Sequence, residues 1–170
     1  HMLVGYLLTI ITLGIYTPWF ICRMLRWGAE NFTLTADDGS TYKLRFDGTG
    51  GALFGTFILG AILMIITLYI YTPWFLVKLR KWLYSHMAIM ENGQEVGKLD
   101  FEGTGGSLFG TAIVGVLLTA ITLYIYYPWF QVSLKKYWAS NTRIHVHGRT
   151  IHPDFVGTGG QLFVIGLLAV

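Results

Sequence analysis

The side chains with the most regular chemical spacing in this chain are basic. Lys78 and Lys81 lie three apart with Arg80 beside them, a separation that puts the two lysines on one face of a helix. Arg23 and Arg26 have the same spacing 55 residues earlier, and Lys135 and Lys136 fall near the matching place 55 residues later. Arg26, Lys81 and Lys136 share one phase, and an aromatic residue follows each at once: Trp27, Trp82 and Tyr137. A helix with a basic stripe and a Trp-rich apolar face suits a membrane interface, where long stems lie along apolar surface and their charged ends reach water or phosphate. Arg23, Arg26, Lys78, Lys81, Lys135 and Lys136 are therefore the candidate contacts for anionic lipid or for an ion path. Plain anchoring by the positive-inside bias is the simpler reading.

A second candidate is the tetrapeptide Gly-Thr-Gly-Gly at 48–51, 103–106 and 157–160. At the start of a helix, Gly50, Gly51, Gly105, Gly106, Gly159 and Gly160 would offer backbone N–H groups to an anion. The favoured alternative is a strand-to-helix joint, with Thr49, Thr104 and Thr158 capping and glycine supplying permissive dihedrals. Leu53 stands where the third glycine of a dinucleotide fingerprint belongs, which excludes that motif. His145, His147 and His152 are the one metal-like group. A Gly148-Arg149 turn would set His145 opposite His152, yet no fourth ligand is apparent, so no metal is expected. No nucleophile arrangement, acid/base carboxylate pair or phosphate-transfer motif is present, and the chain is expected to be no enzyme and to need no cofactor. The hydroxyls of Thr12, Thr67 and Thr122 can be satisfied by bonding back to helix carbonyls.

The elements that must position these groups follow from composition and repetition. The chain has 170 residues, 54% hydrophobic and only 12% charged, with a mean hydropathy of +0.54. A soluble domain carries about 25% charge. Residues 48–77 and 103–134 contain no Asp, Glu, Lys or Arg, and about 20 apolar residues suffice for a helix to cross a bilayer. A membrane protein is the expectation. The net charge of +3 is too small for a nucleic-acid footprint and suits anionic lipid, so the expected partner is membrane lipid and not nucleic acid. With one cysteine, no intramolecular disulfide can form.

Pro-Trp-Phe occurs at 18–20, 73–75 and 128–130, preceded each time by Ile-Thr-Leu-x-Ile-Tyr. Fixed-period recurrence marks a repeat architecture. The expected fold is an α+β membrane protein of three tandem units, 3–47, 48–102 and 103–156, with the half-helix start of a further unit at 157–170. All lie in one membrane domain, 3–170, and His1-Met2 is set aside as a cloning remnant. Each unit holds an apolar transmembrane or re-entrant helix (52–70 in the second), a basic aromatic helix (73–86) and a β-hairpin. The hairpins span 32–46, 87–101 and 143–155, turning at Asp37-Asp38-Gly39-Ser40, at Asn92-Gly93 and near Gly148. Units all facing one side, with re-entrant or shallow helical hairpins, are favoured over alternating ones. Gly51 with Gly55, and Gly106 with Gly110, form small-residue pairs that permit close helix contact. The C-terminal half-helix stops at the phase where the N-terminal one begins. A closed pseudo-threefold ring or exchange of half-helices in a homo-oligomer is one reading of this; a piece of a longer protein is the other.

The run Phe-x-Gly-Thr-Gly-Gly-x-Leu-Phe-Gly (46–55), with Leu-Leu-Thr-x-Ile-Thr-Leu-x-Ile-Tyr-x-Pro-Trp-Phe (117–130) and the basic aromatic helix after it, resembles the bacterial YjgN family. The resemblance covers essentially the whole chain. It implies an integral protein of the bacterial inner membrane, multi-pass or re-entrant, and it supplies no catalytic residues. One departure is that only ten residues follow the third Gly-Thr-Gly-Gly. The functional expectation is a non-enzymatic scaffold or lipid-interacting protein that self-associates through small-residue helix faces. The alternative is a channel or transporter with an axis lined by the basic helices.

Overall fold

A computed structural model of the chain describes residues 12, 15–35 and 39–168, with side chains to residue 165. Three helices open on proline, whose missing N–H is harmless in a first turn: α1 (Thr17–Asn31), α3 (Thr72–Ser85) and α5 (Tyr127–Ser140). Three others open on Gly-Thr-Gly-Gly: α2 (Gly50–Ile66), α4 (Gly105–Ile121) and α6 (Gly159–Leu168). Between them lie β1 (Thr33–Thr35), β2 (Thr41–Phe46), β3 (Met87–Glu91), β4 (Gln94–Phe101), β5 (Thr142–Val146) and β6 (Arg149–Ile151). The strands form one antiparallel sheet in the order of the sequence, β1 to β6. The hairpins are joined to one another through Phe46 opposite Met87 and Phe101 opposite Thr142.

Turn chemistry fixes the register. Asn92 and Gly93 take φ of 50° and 83°, the pair of positive values that a type I′ turn needs. In the third hairpin His147 and Gly148 do the same, at 49° and 72°. Gly148 thus fills the second turn position, as Gly93 does, and the turn lies one residue earlier than Gly148-Arg149. His145 consequently faces Thr150, not His152.

The core lies where a basic helix, a strand end and the following apolar helix meet. Phe46, at the end of β2, is buried with Cys22, Ala29 and Leu53. Phe101, at the end of β4, is buried with Val77 and Leu108, and Tyr84, Tyr137 and Trp138 pack round it. The two clusters use equivalent positions 55 residues apart, 22 and 77, 46 and 101, 53 and 108.

The architecture is α+β, but the expected transmembrane or re-entrant helices are corrected. Among the described residues no helix is long and apolar enough to cross a membrane. The reason lies inside the uncharged windows. Each window contains an apolar helix of 17 residues, a tight joint and the start of a second helix. Seventeen residues span about 25 Å at roughly 1.5 Å per residue, short of the roughly 30 Å hydrocarbon core. The helix expected over 52–70 ends at Ile66 because Leu68 and Tyr69 turn left-handed, at φ of 48° and 67°. The three expected hairpins form, and they join into one sheet, which is open among the described residues, with β1 and β6 at its edges. The N-terminal apolar segment, the Asp37-Asp38 turn and the two chain ends whose meeting would close a ring fall outside the described residues, apart from Thr12 and Ile15.

Candidate functional site: an apolar, aromatic and basic surface

The chain leaves the sheet at Phe46 or Phe101, runs out along an apolar helix and returns along a basic one straight into the next strand. The joints at 67–71 and 122–126 therefore lie at the helix ends farthest along the path from the strands. One threonine closes each joint. The Thr67 hydroxyl donates to the Leu63 carbonyl at 2.7 Å and accepts from the Tyr71 amide at 3.1 Å. Thr122 does the same between Leu118 and Tyr126, at 2.7 and 3.0 Å. The amides of Tyr69 and Tyr124 reach back to Met64 and Thr119, at 2.7 and 2.8 Å. The backbone thus meets much of its own polar need, while the side chains turned outward are apolar. Leu68 is 84% exposed and Leu123 85%, and Tyr69, Ile70, Tyr124 and Ile125 are exposed beside them. The apolar surface continues along the helices through Ile62, Ile65 and Ile66, and through Val114, Leu117 and Ile121.

Below the tips lies an aromatic belt. Trp19, Trp74 and Trp129 each stack on the tyrosine three residues earlier, at centroid distances of 6.3–6.4 Å. Each also meets a phenylalanine of the next apolar helix, Phe54, Phe109 or Phe163, at 5.0–5.6 Å. The same tryptophans account for three of the candidate anion-site glycines. A Cβ on Gly50, Gly105 or Gly159 would lie 2.7–2.9 Å from the tryptophan Cα and closer still to its ring. Gly51, Gly106 and Gly160 face open space. The capping threonines are engaged as expected, accepting from Ala52, Ser107 and Gln161 amides at 3.2–3.4 Å.

All six candidate cations, Arg23, Arg26, Lys78, Lys81, Lys135 and Lys136, are exposed. Arg26 donates to the Gly48 carbonyl at 3.2 Å, which joins the stripe to the first Gly-Thr-Gly-Gly. Lys135 lies over the Phe155 ring, 5.5 Å from its centroid. Arg80 differs from them: its guanidinium covers Trp138 at 4.5 Å and ties α3 to α5. Burial pushes the Cys22 thiol up against a smaller downward pull from Arg26, so it packs as a small apolar group and not as a nucleophile. His147 bonds Glu91 at 2.9 Å and His145 bonds Thr150 at 3.0 Å. Among the described residues no cluster of three metal-ligating side chains forms.

The structure adds an open groove of about 960 Å³ between α4 and α5, walled at one end by residues 154–156. Lys136, Ser133, Ser140, Thr111 and Asp154 are among its polar lining, and Gly110 and Val114 form part of its apolar wall. A smaller groove of about 340 Å³ beside α1 uses equivalent positions, among them Tyr16, Arg23, Arg26 and Glu30. Sequence reasoning missed Thr111 and Asp154, because the approach of 154–156 to α5 is a through-space contact. Ser133 carried a signal, as a small residue where the stripe elsewhere has Arg23 and Lys78.

Comparison with known proteins agrees with the resemblance. The family described as "Bacterial protein of unknown function (DUF898)" matches residues 41–95 and 96–170. An inner membrane protein YjgN of Salmonella typhimurium is 31% identical over 93 residues, which cover 55% of this chain and 22% of that protein. Its namesake in Escherichia coli K12 is 38% identical over 72 residues, covering 42% and 17%. The chain spans about a fifth of the length of these curated relatives. No solved structure matches it.

Proposed function

The chain belongs to this family of bacterial proteins of unknown function, and from that premise we propose that it is a non-enzymatic, lipid-interacting protein of the bacterial inner membrane. The paired tips of α2–α3 and α4–α5 lodge in the head-group and outer acyl region without spanning the bilayer. The observation that carries this is the exposure of Leu68-Tyr69-Ile70 and Leu123-Tyr124-Ile125. Large contiguous apolar patches on a protein surface mark interaction sites, and a fully buried aliphatic side chain is worth about 1.5–3 kcal/mol. The order of tip, aromatic belt and basic stripe matches the polarity gradient from acyl chains to phosphates. That the relatives bear the name inner membrane protein supports the location.

Flotation with vesicles of phosphatidylcholine and phosphatidylglycerol tests the proposal. Leu68→Asp combined with Leu123→Asp is expected to weaken vesicle binding about 100-fold or more, since roughly 3 kcal/mol of apolar transfer is withdrawn. The circular dichroism spectrum should stay unchanged, because both side chains are exposed. Binding of the double variant equal to that of the parent would overturn the proposal. Ion flux through protein-loaded vesicles that responds to Lys81→Glu and Lys136→Glu would favour the channel reading instead.

A further inference from the structure

We propose that the groove between α4 and α5 is a binding site for a phospholipid whose head group carries both a phosphate and a primary ammonium. The inference rests on the membrane-surface reading above and names the lipid that this one groove takes.

Lys136 and Asp154 line the same groove, yet they do not pair with each other. Nor does either have another ion-pair partner among the described residues. A groove that offers opposite charges not paired with each other is complementary to a ligand that is itself zwitterionic. Lys136 suits the phosphate and Asp154 the ammonium. Hydroxyls lining the same groove favour the same ligand. Thr111, Ser133 and Ser140 donate to carbonyls of their own helices, those of Ser107, Trp129 and Tyr137, at 3.1, 2.9 and 3.2 Å. Their hydrogens are spent and their oxygens keep lone pairs, although Ser140 already accepts from the Asn141 amide group at 3.5 Å; acceptors are what an ammonium with three donors requires.

The groove also has a place for acyl chains. Gly110 and Val114 belong to an i, i+4, i+7, i+11 stripe on α4 with Leu117 and Ile121. Val114, Leu117 and Ile121 are all exposed, so the stripe leads from the groove to the apolar tip. A head group held by Lys136 and Asp154 would therefore send its chains along α4 toward the hydrocarbon. The groove volume of about 960 Å³ lies within the usual range of ligand pockets, roughly 300–1,000 Å³. Gly110 keeps the groove open, since a Cβ there would meet nothing within 4 Å. A larger side chain at 110 would start from open space and extend into the groove that Gly110 lines.

The test uses the full chain in neutral detergent, titrated with dihexanoyl-phosphatidylethanolamine, dihexanoyl-phosphatidylglycerol and free phosphoethanolamine, and read by chemical-shift change. The ethanolamine lipid should saturate at one per chain and bind about tenfold more tightly than the glycerol lipid, the difference an added charge-assisted hydrogen bond makes. Asp154→Asn should remove that preference, Lys136→Gln should weaken both lipids, and Gly110→Leu should abolish saturable binding. Flotation of Gly110→Leu with vesicles should stay within about twofold of the parent, because the tips are untouched. Equal affinity of the parent for the two lipids, or saturable binding that survives Gly110→Leu, would overturn the site. Free phosphoethanolamine binding as tightly as the lipid would overturn the lipid as its ligand. A parent protein that fails to float at all would sink the membrane-surface reading, a result distinguishable from failure of the groove alone.

Discussion

Leu68 and Leu123 sit in a backbone conformation that costs a non-glycine residue about 1–2 kcal/mol. Tyr69 and Tyr124 follow them in the same region, with φ of 67° and 71°. Glycine adopts such angles freely and is the usual choice where a helix ends this way. Here leucine stands in the place twice, almost wholly exposed, so its side chain contributes little packing in return. The apolar group at the tip is the compensation if it enters lipid. Leu68→Gly with Leu123→Gly should therefore shift two measurements in opposite directions. Urea unfolding should move to higher denaturant, by about 1 kcal/mol for each site, while vesicle flotation weakens. A double variant less stable than the parent would show that the leucines serve the fold. The sequence announces these positions only as part of a β-branched run before proline. The left-handed pair is set by the requirement that two helices turn back within a few residues, which no single residue type reveals.

At the scale of elements, the helices and hairpins were largely legible and their partners were not. Proline at the start of α3 and α5, threonine caps at 49 and 104, and the Asn92-Gly93 turn all lie where local chemistry puts them. The uncharged windows misled because absence of charge does not show where a helix stops: 48–77 reads as one apolar run but folds as a helix, a joint and part of another helix. The role of Gly105 was equally hidden, since Trp74 reaches it from a different helix. Two neighbouring glycines separate steric need from mere permissiveness. Gly105→Ala would bring a methyl to within 2.7 Å of the Trp74 backbone, and overpacking of this kind costs about 1–3 kcal/mol. Gly106→Ala meets open space and should leave stability unchanged or raise it by up to about 1 kcal/mol. Thermal unfolding of the two variants checks this, with equal effects as the contrary result. The groove was the least legible part, because Lys136 and Asp154 are brought together only by tertiary packing.

For the molecule as a whole, the separation of apolar tips from a sheet that carries charges of both signs gives it two unlike ends. Glu91, Glu95 and Asp100 lie on strands together with Lys43, Arg45, Lys98, Arg143 and Arg149, while the six exposed candidate cations lie on the helices between strands and tips. Attraction of those cations to anionic lipid is worth about 1 kcal/mol per residue close to the surface and fades over a Debye length, about 10 Å at 0.1 M salt. Raising salt from about 0.05 to 0.5 M should weaken binding to phosphatidylglycerol vesicles by about tenfold. Binding to pure phosphatidylcholine vesicles should stay the same or strengthen slightly, since apolar burial does not depend on screening. Loss of both in parallel would show that charge alone holds the protein there.

The strand order has a kinetic corollary. Because each described strand pairs only with the one before it and the one after, no later strand among the described residues has to thread between earlier ones. A chain emerging from the ribosome can complete its first hairpin, add the second to the waiting edge and then the third, in the direction of synthesis. Each greasy helical pair is then finished in turn, so a protein with so much oily surface need not hold all of it bare in water at once.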